Sequence, residues 1–289
     1  MDLAVALERA LDARVVSMRS LRGGDVAEAY RADLDDGRRV FAKTHRSAPA
    51  GFFTTEAAGL AWLRAPMVVA VPGVLAVSDG DTSAEAPNHL VLEWIDEGSA
   101  GPSTEADLGR ALAALHLTGA PCFGREDRRS TGSRGLPNEP CPTWSEFYAT
   151  QRLLPLARLA GASGVLRASV ISDLERVADR LDVVGGPPES PARLHGDLWG
   201  GNRLVDRNGR SWLIDPAAHG GHREFDLAMM RLFGGFGEAC FAAYAEQCPL
   251  ADGWVDRVAL HQIAPLVVHA IKFGGGYVGA ATTAIERYR

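Results

Sequence analysis

Leu3, Leu7 and Leu11 recur at the spacing of one helix face, and they open the chain as a short amphipathic helix. Strand-like runs follow over 15–21 and 26–34, separated by the Gly23-Gly24 turn, and Asp35-Asp36-Gly37 marks the turn into a third strand over 39–44. Phe53, Ala57, Leu60 and Leu63 predict a helix over 52–64. Two more strands are expected over 74–78 and 89–95 around a polar hairpin. The order is specific: five strands, with one helix inserted after the third.

The pattern then changes. Residues 97–103 are rich in Gly, Ser and Pro, and beyond them apolar positions recur almost only at helical spacing. Leu108, Leu112 and Leu115 place a helix over 105–117, and a loop of Gly, Pro and charge fills 119–142. Thr143 and Glu146 form a capping box that opens the next helix through Tyr148 and Leu153. Further helices are expected over 166–184, 225–233, 236–247 and 254–272. The division is therefore a strand-rich lobe over 1–95, a hinge over 96–103 and a mainly helical lobe over 104–289. This is an α+β chain: a small antiparallel sheet with one key helix, then a larger helical lobe.

Bulk properties narrow the picture only modestly. The 289 residues are 46% hydrophobic and 23% charged, as in an ordinary folded protein of one large or two unequal lobes. A net charge of -6 gives no nucleic-acid footprint. Cys122, Cys141, Cys240 and Cys248 form no CxxC pair, so free thiols in a reducing cytosol are expected, with a Cys240–Cys248 bridge as the alternative. The acidic start MDLAVALERALDA does not resemble a secretion signal, and apolar runs such as Met67 to Val77 are short and cut by Pro72. No membrane span is expected, and the expected location is the cytoplasm.

Chemistry concentrates in LHGDLWGGNRLV (194–205) and WLIDPA (212–217). Phosphoryl transfer from ATP needs a carboxylate to accept the proton of the attacking hydroxyl, and oxygen ligands to hold Mg2+ against the phosphates. Asp197, Asn202 and Asp215 supply these groups, and Asp197 and Asn202 reproduce the D-x-x-x-x-N spacing of a kinase catalytic loop. Read blandly, the same stretch is a Gly-rich turn with an Asx cap, but the full spacing favours the catalytic loop. Lys43 in the strand VFAK would meet the α- and β-phosphates, and Glu56 in the next helix would pair with it. Each alone is more often a surface charge. Gly23, Gly24 and Asp25 would lay backbone amides over phosphate, although the full G-x-G-x-x-G is absent.

Two departures exclude a protein kinase. Gly196 stands where those enzymes carry Arg, and Pro216-Ala217 stands where they carry Phe-Gly. The stretch from Asp215 to Asp226 is also too short for a phosphorylated activation segment. A small hydroxylated acceptor fits better.

With GGDVAEAY (23–30), FAKTH (41–45), LVLEWI (90–95), HGDLWGGN (195–202), IDPAAHGGHREFDLAMMRLFGGF (214–236) and VVHAIKFGG (267–275), the chain resembles the fructosamine (ketosamine) kinase family along nearly its whole length. That family is related to the aminoglycoside and choline phosphotransferases. The resemblance implies a two-lobed protein-kinase-like fold, ATP and Mg2+, and a ketoamine acceptor phosphorylated on a ring hydroxyl near the keto carbon. It implies Asp197 as base, Asn202 and Asp215 as Mg2+ ligands and Lys43 with Glu56 as the phosphate-holding pair. Backbone groups of Glu93 and Ile95 would meet the adenine edge. Trp199 and His269 are implied as substrate contacts, against core packing and a satisfied helix histidine. His195 and Asp226 would support the catalytic loop. His219, His222, Arg223 and Glu224 read either as a metal cluster or as further support, the latter preferred. A monomer is expected. Two alternatives stand beside it: a kinase of an aminoglycoside, choline or a free sugar, and a nucleotide-binding scaffold without turnover.

Overall fold

The structure is a computed structural model that describes residues 2–21, 27–79, 87–127, 130–131 and 135–289. The chain forms two compact units, Met1–Gly101 with Arg203–Pro216, and Pro102–Asn202 with Ala217–Arg289.

In the first unit, helix α1 (Leu3–Leu11) precedes β1 (Val15–Leu21), β2 (Glu28–Leu34) and β3 (Arg39–Thr44), followed by helix α2 (Phe52–Arg64), β4 (Val74–Ser78) and β5 (His89–Glu93). The sheet is antiparallel throughout, in the order β1-β2-β3-β5-β4. Alternation does what period two requires: β3 buries Val40, Ala42 and Thr44 and turns Phe41 and Lys43 the other way. Leu3, Leu7 and Leu11 pack with Ala32, Leu34, Val40, Ala42 and Val91. The other face receives α2, whose Phe53, Leu60 and Leu63 are fully buried. The first turn of α2 is capped from afar, because the Asp79 carboxylate accepts the amides of Phe53 (2.6 Å) and Thr54 (3.0 Å). That anchor fixes the helix that carries Glu56.

Residues 203–216, placed by the sequence pattern in the helical lobe, group instead with the sheet unit. The hairpin Arg203–Val205 and Ser211–Leu213 is tied there by Leu213 N to Ala70 O (2.9 Å) and Gly98 N to Val205 O (2.8 Å). Asp206 closes its turn by accepting the amides of Asn208 and Arg210 and the Trp212 indole. Leu213 is fully buried, and no local pattern announces that its amide is tied to Ala70.

The second unit is helical, with α3 (Thr104–Leu117) first. Its core gathers Trp144, Phe147 and Tyr148 with Leu153, Leu156, Leu174, Leu194, Leu260 and Ile285. Half of the expected capping box forms, Thr143 Oγ1 accepting the Glu146 amide at 3.1 Å. Features outside the predicted pattern include a π-helical turn, Tyr148–Leu153, the paired strands Ala192–Leu194 and His219–Gly221, and a last helix, Gly276–Glu286, built of small residues that blur its stripe. Pro265 sits inside the helix Trp254–Phe273 and removes the donor that would reach His261 O. The buried Tyr148 hydroxyl replaces it, donating toward Leu260 O (2.9 Å) and His261 O (3.2 Å).

Candidate active site

In the first unit, strand β3 turns Lys43 toward α2. Its ammonium donates to Glu56 Oε1 at 2.8 Å and to the Asp215 carboxylate. Lys43 and Glu56 are 11% and 14% exposed at their side chains, while Asp215 is 40% exposed and thus faces solvent. Asp215 has φ 54, a left-handed backbone that costs a non-glycine residue energy and is found where a carboxylate must be aimed. Burial lowers the Lys43 pKa, but Glu56 and Asp215 outweigh it and leave the pKa raised. Burial is also the main cause for Glu56, with Asp215 adding to it and Lys43 opposing, and its carboxyl is pushed up to about 7.

Backbone positions at the end of β5 are partly committed. The Glu93 amide donates to Gly73 O (2.9 Å), and its carboxylate accepts the Gly73 amide (2.8 Å). Ile95 follows the strand and is half-buried. Gly23, Gly24 and Asp25 lie outside the described residues.

In the second unit, the short strand Ala192–Leu194 pairs with His219–Gly221 and delivers His195, Gly196 and Asp197 in succession. Gly196 has φ 81, and a Cβ there would fall 2.1 Å from Ala217 O, so the arginine of protein kinases cannot be accommodated in this backbone. The buried His195 Nδ1 accepts the Asp197 amide at 3.3 Å. Asn202 Nδ2 donates to both Asp197 O (2.8 Å) and Asp197 Oδ2 (3.1 Å). Its amide group thus spends its donors on the loop and keeps its oxygen on the opposite side. Asp226 is fully buried and accepts the amides of His195 (2.7 Å) and Gly196 (2.9 Å). The loop also meets the turn after helix Glu224–Phe233: Gly200 N donates to Gly234 O (3.1 Å), and a Cβ on Gly235 (φ 92) would sit 2.5 Å from Gly200 Cα.

Trp199 and His269, the expected substrate contacts, belong to one line of rings. Trp199 meets Phe233 edge-on at 6.1 Å, and Phe233 meets His269 at 4.6 Å. Tyr277 and Phe273 flank His269 at 5.1 and 5.6 Å. Trp199 is 40% exposed and Phe273 50%, so the row presents a surface as well as packing.

The cluster of His219, His222, Arg223 and Glu224 resolves into internal pairs. Ligand atoms of His222, Glu224 and His261 lie within 4.8 Å of one another, with His261 Nε2 3.3 Å from Glu224 Oε2. Even so, Arg257 grips both Glu224 oxygens at 2.9 and 2.6 Å, and Arg223 grips both Glu189 oxygens at 2.7 and 2.8 Å. The carboxylate charge is already matched, and a dication would add uncompensated charge to a dry interior. His219 Nδ1 meets Ala217 O (2.8 Å) and its ring stacks on Phe147.

Along the chain, the fructosamine kinase family model matches residues 3–289. The chain belongs to the fructosamine kinase family. It is 35% identical over 92% of its length to 93% of a protein of Enterococcus faecium named as a probable ketoamine kinase. It is 31% identical over 95% of its length to 83% of a chloroplastic protein-ribulosamine 3-kinase of Arabidopsis thaliana. A solved structure from Thermobifida fusca, described as a candidate fructosamine-3-kinase, superposes with a TM-score of 0.90 at 38% identity, covering 99% of this chain and 98% of that one. An aminoglycoside phosphotransferase with ADP and hygromycin B shares the fold at TM-score 0.67 and 16% identity, with 99% of each chain covered. Membership makes this chain an ATP-dependent phosphotransferase with an alcohol group of a ketosamine as acceptor.

Sequence reasoning did not single out His116 and Tyr244 in this kinase. His116 Nε2 lies 3.3 Å from Asp226 Oδ2, and its Nδ1 lies 2.7 Å from the Tyr244 hydroxyl. The one hint was a histidine on the apolar stripe of a predicted helix, at 116, and nothing linked it to residue 226. All four cysteines are free, Cys240 and Cys248 included. No helix among the described residues is long and apolar enough to cross a membrane.

Proposed function

We propose that this kinase transfers the γ-phosphoryl group of ATP to a ring hydroxyl, O3, of a ribulosamine or fructosamine, with Asp197 as the catalytic base. The observation that carries the assignment is the pair of hydrogen bonds from Asn202 to Asp197, in a loop whose preceding amides end on the buried Asp226. A carboxylate held in one orientation accepts the hydroxyl proton as the oxygen attacks phosphorus and the bond to the ADP oxygen breaks. Lys43, oriented by Glu56, holds the α- and β-phosphates. Glu93 and Ile95 meet the adenine, and Gly23, Gly24 and Asp25 cover the phosphates. The donor types suit Mg2+: each in its own unit, Asn202 offers an amide oxygen and Asp215 a carboxylate, the hard oxygens that this ion takes, and when bound it would neutralise phosphate charge. The exposed face of Trp199 meets the C–H side of the sugar, with His269 at the other end of the aromatic row.

The acceptor is a glycated amine in solution, met by a single copy of the chain. Free thiols fit a reducing compartment such as the cytosol. Coupled measurement of ADP release over ribulosamines, fructosamines, aminoglycosides, choline and free sugars tests the acceptor, and phosphate position in the product tests O3. Turnover of ketosamines alone is expected. Turnover confined to an aminoglycoside or choline would overturn the acceptor, and phosphate on another oxygen would overturn O3.

A further inference from the structure

We infer that His116 and Tyr244 are positioning residues for phosphoryl transfer, holding Asp226 in the orientation that sets the loop before Asp197; this deepens the assignment of Asp197 as base and rests on it. Three elements converge on one carboxylate. Asp226 stands in the first turn of helix Glu224–Phe233, His116 in the last turn of α3, and Tyr244 on helix Glu238–Gln247. All three are buried, at 0%, 3% and 1% exposure, so none of these polar groups is satisfied by solvent.

Directions follow from the chemistry of each atom. An ionised carboxylate only accepts, so His116 Nε2 donates to Asp226 Oδ2 at 3.3 Å. His116 Nδ1 then accepts the Tyr244 hydroxyl at 2.7 Å. Burial would raise the Asp226 pKa, yet the hydrogen bonds from His116 and the Gly196 amide help to bring it below the usual carboxylate value. Burial pushes the Tyr244 phenol up, which keeps its proton available for donation. Arg223 also lies against that hydroxyl.

The far end of this chain is what makes it more than core polarity. Asp226 divides its oxygens between two consecutive amides, His195 at 2.7 Å on Oδ2 and Gly196 at 2.9 Å on Oδ1. Rotation of that carboxylate would tilt both peptides and re-aim the next residue, Asp197. Two amide donors alone leave the carboxylate plane free to rock, and His116 on Oδ2 supplies a third direction. Two apolar side chains could fill the same volume without the desolvation penalty, so the polar pair is informative. Displacement of a reacting group by about 1 Å costs about a hundredfold in rate, the scale on which such a relay matters.

The test uses the full chain with ketosamine and ATP. His116→Ala is expected to lower kcat about 10- to 100-fold, with both KM values within about threefold of wild type. His116→Gln keeps a donor in the place of Nε2 and is expected to recover kcat to within about fivefold. Tyr244→Phe keeps the ring, which meets His116 edge-on at 5.5 Å, and is expected to lower kcat about threefold, with no further loss in the His116→Gln background. Wild-type kcat in His116→Ala, a loss confined to KM, or a folded Gln variant no better than Ala would overturn the inference. Should His116→Ala fail to fold, wild-type kcat in Tyr244→Phe would overturn it instead. Hydrogen exchange at the His195 and Gly196 amides separates this inference from the activity itself. Exchange about tenfold faster in the Ala variant, restored by Gln, supports the relay even if wild type turns over no ketosamine; unchanged exchange overturns it.

Discussion

The two units solve opposite problems with the same residue types. In the sheet unit, Lys43, Glu56 and Asp215 satisfy one another side chain to side chain, and Asp215 remains well exposed. In the helical unit, Asp226 is sealed from solvent and turned on backbone amides. A side-chain trio can rearrange when phosphate and a cation arrive, because each partner can exchange one opposite charge for another. A carboxylate on two peptide N–H groups has nothing to exchange. The first arrangement suits ligand binding and the second suits holding a backbone still.

That contrast can be broken in order of expected effect. Asp197→Asn should lower kcat about a thousandfold, equivalent to about 4 kcal/mol, while ATP affinity measured by calorimetry stays near wild type. Retained turnover would remove the base. Asp226→Ala should cost about 3 kcal/mol in denaturant unfolding, since two buried amides and His116 lose their acceptor. Lys43→Met should lower kcat about tenfold or more and raise the ATP KM, yet change the melting midpoint little, because Glu56 can take up a proton instead. If the lysine variant unfolds as readily as the Asp226 variant, the distinction between exchangeable and fixed partners fails.

Proton linkage gives the smallest and most direct comparison. Burial, chiefly, holds His219 down to about 3 and His222 to about 4. Unfolded histidines near 6.5 therefore bind protons that the folded chain refuses, and stability is lost as pH falls from about 6.5 toward those values. Glu56 works in the opposite sense. Its folded carboxyl, up to about 7, binds a proton more tightly than the unfolded one, so it adds stability as pH falls from about 7 toward about 4.5. Near pH 5.5 the two histidines outweigh the one glutamate by about one proton, or about 1.4 kcal/mol per pH unit. Glu56→Gln should steepen the slope toward about two protons, as measured by urea unfolding across that range. A flat profile in wild type would place the histidines in contact with water.

Much of the sheet unit was legible in advance because its signals are local. The bounds of β1, β3, β4 and α2 match the predicted ranges to the residue, since period-two and helical stripes end at Gly, Pro and Asp turns. The Lys43–Glu56 pair was legible too, because two elements consecutive in sequence face each other. Less visible were the π-turn at Tyr148, the helix after Gly275 and the substitution of Tyr148 for the donor missing at Pro265. The last of these depends on a partner more than a hundred residues away, and the helix after Gly275 is masked by its small residues.

Residue type and spacing by themselves pointed to the candidate loop around Asp197 and Asn202 and to the α+β order, because those residues and their glycines sit in short-range patterns written in consecutive positions, while the family came from the likeness of whole motifs. Tertiary structure alone decided that residues 203–216 join the sheet unit, that Glu224 is paired with Arg257, and that His116 and Tyr244 stand behind Asp226. The reason is range. Helical and strand periodicity are fixed by neighbours along the chain, whereas the partner of a buried charge is chosen by whichever distant side chain shares its desolvated space.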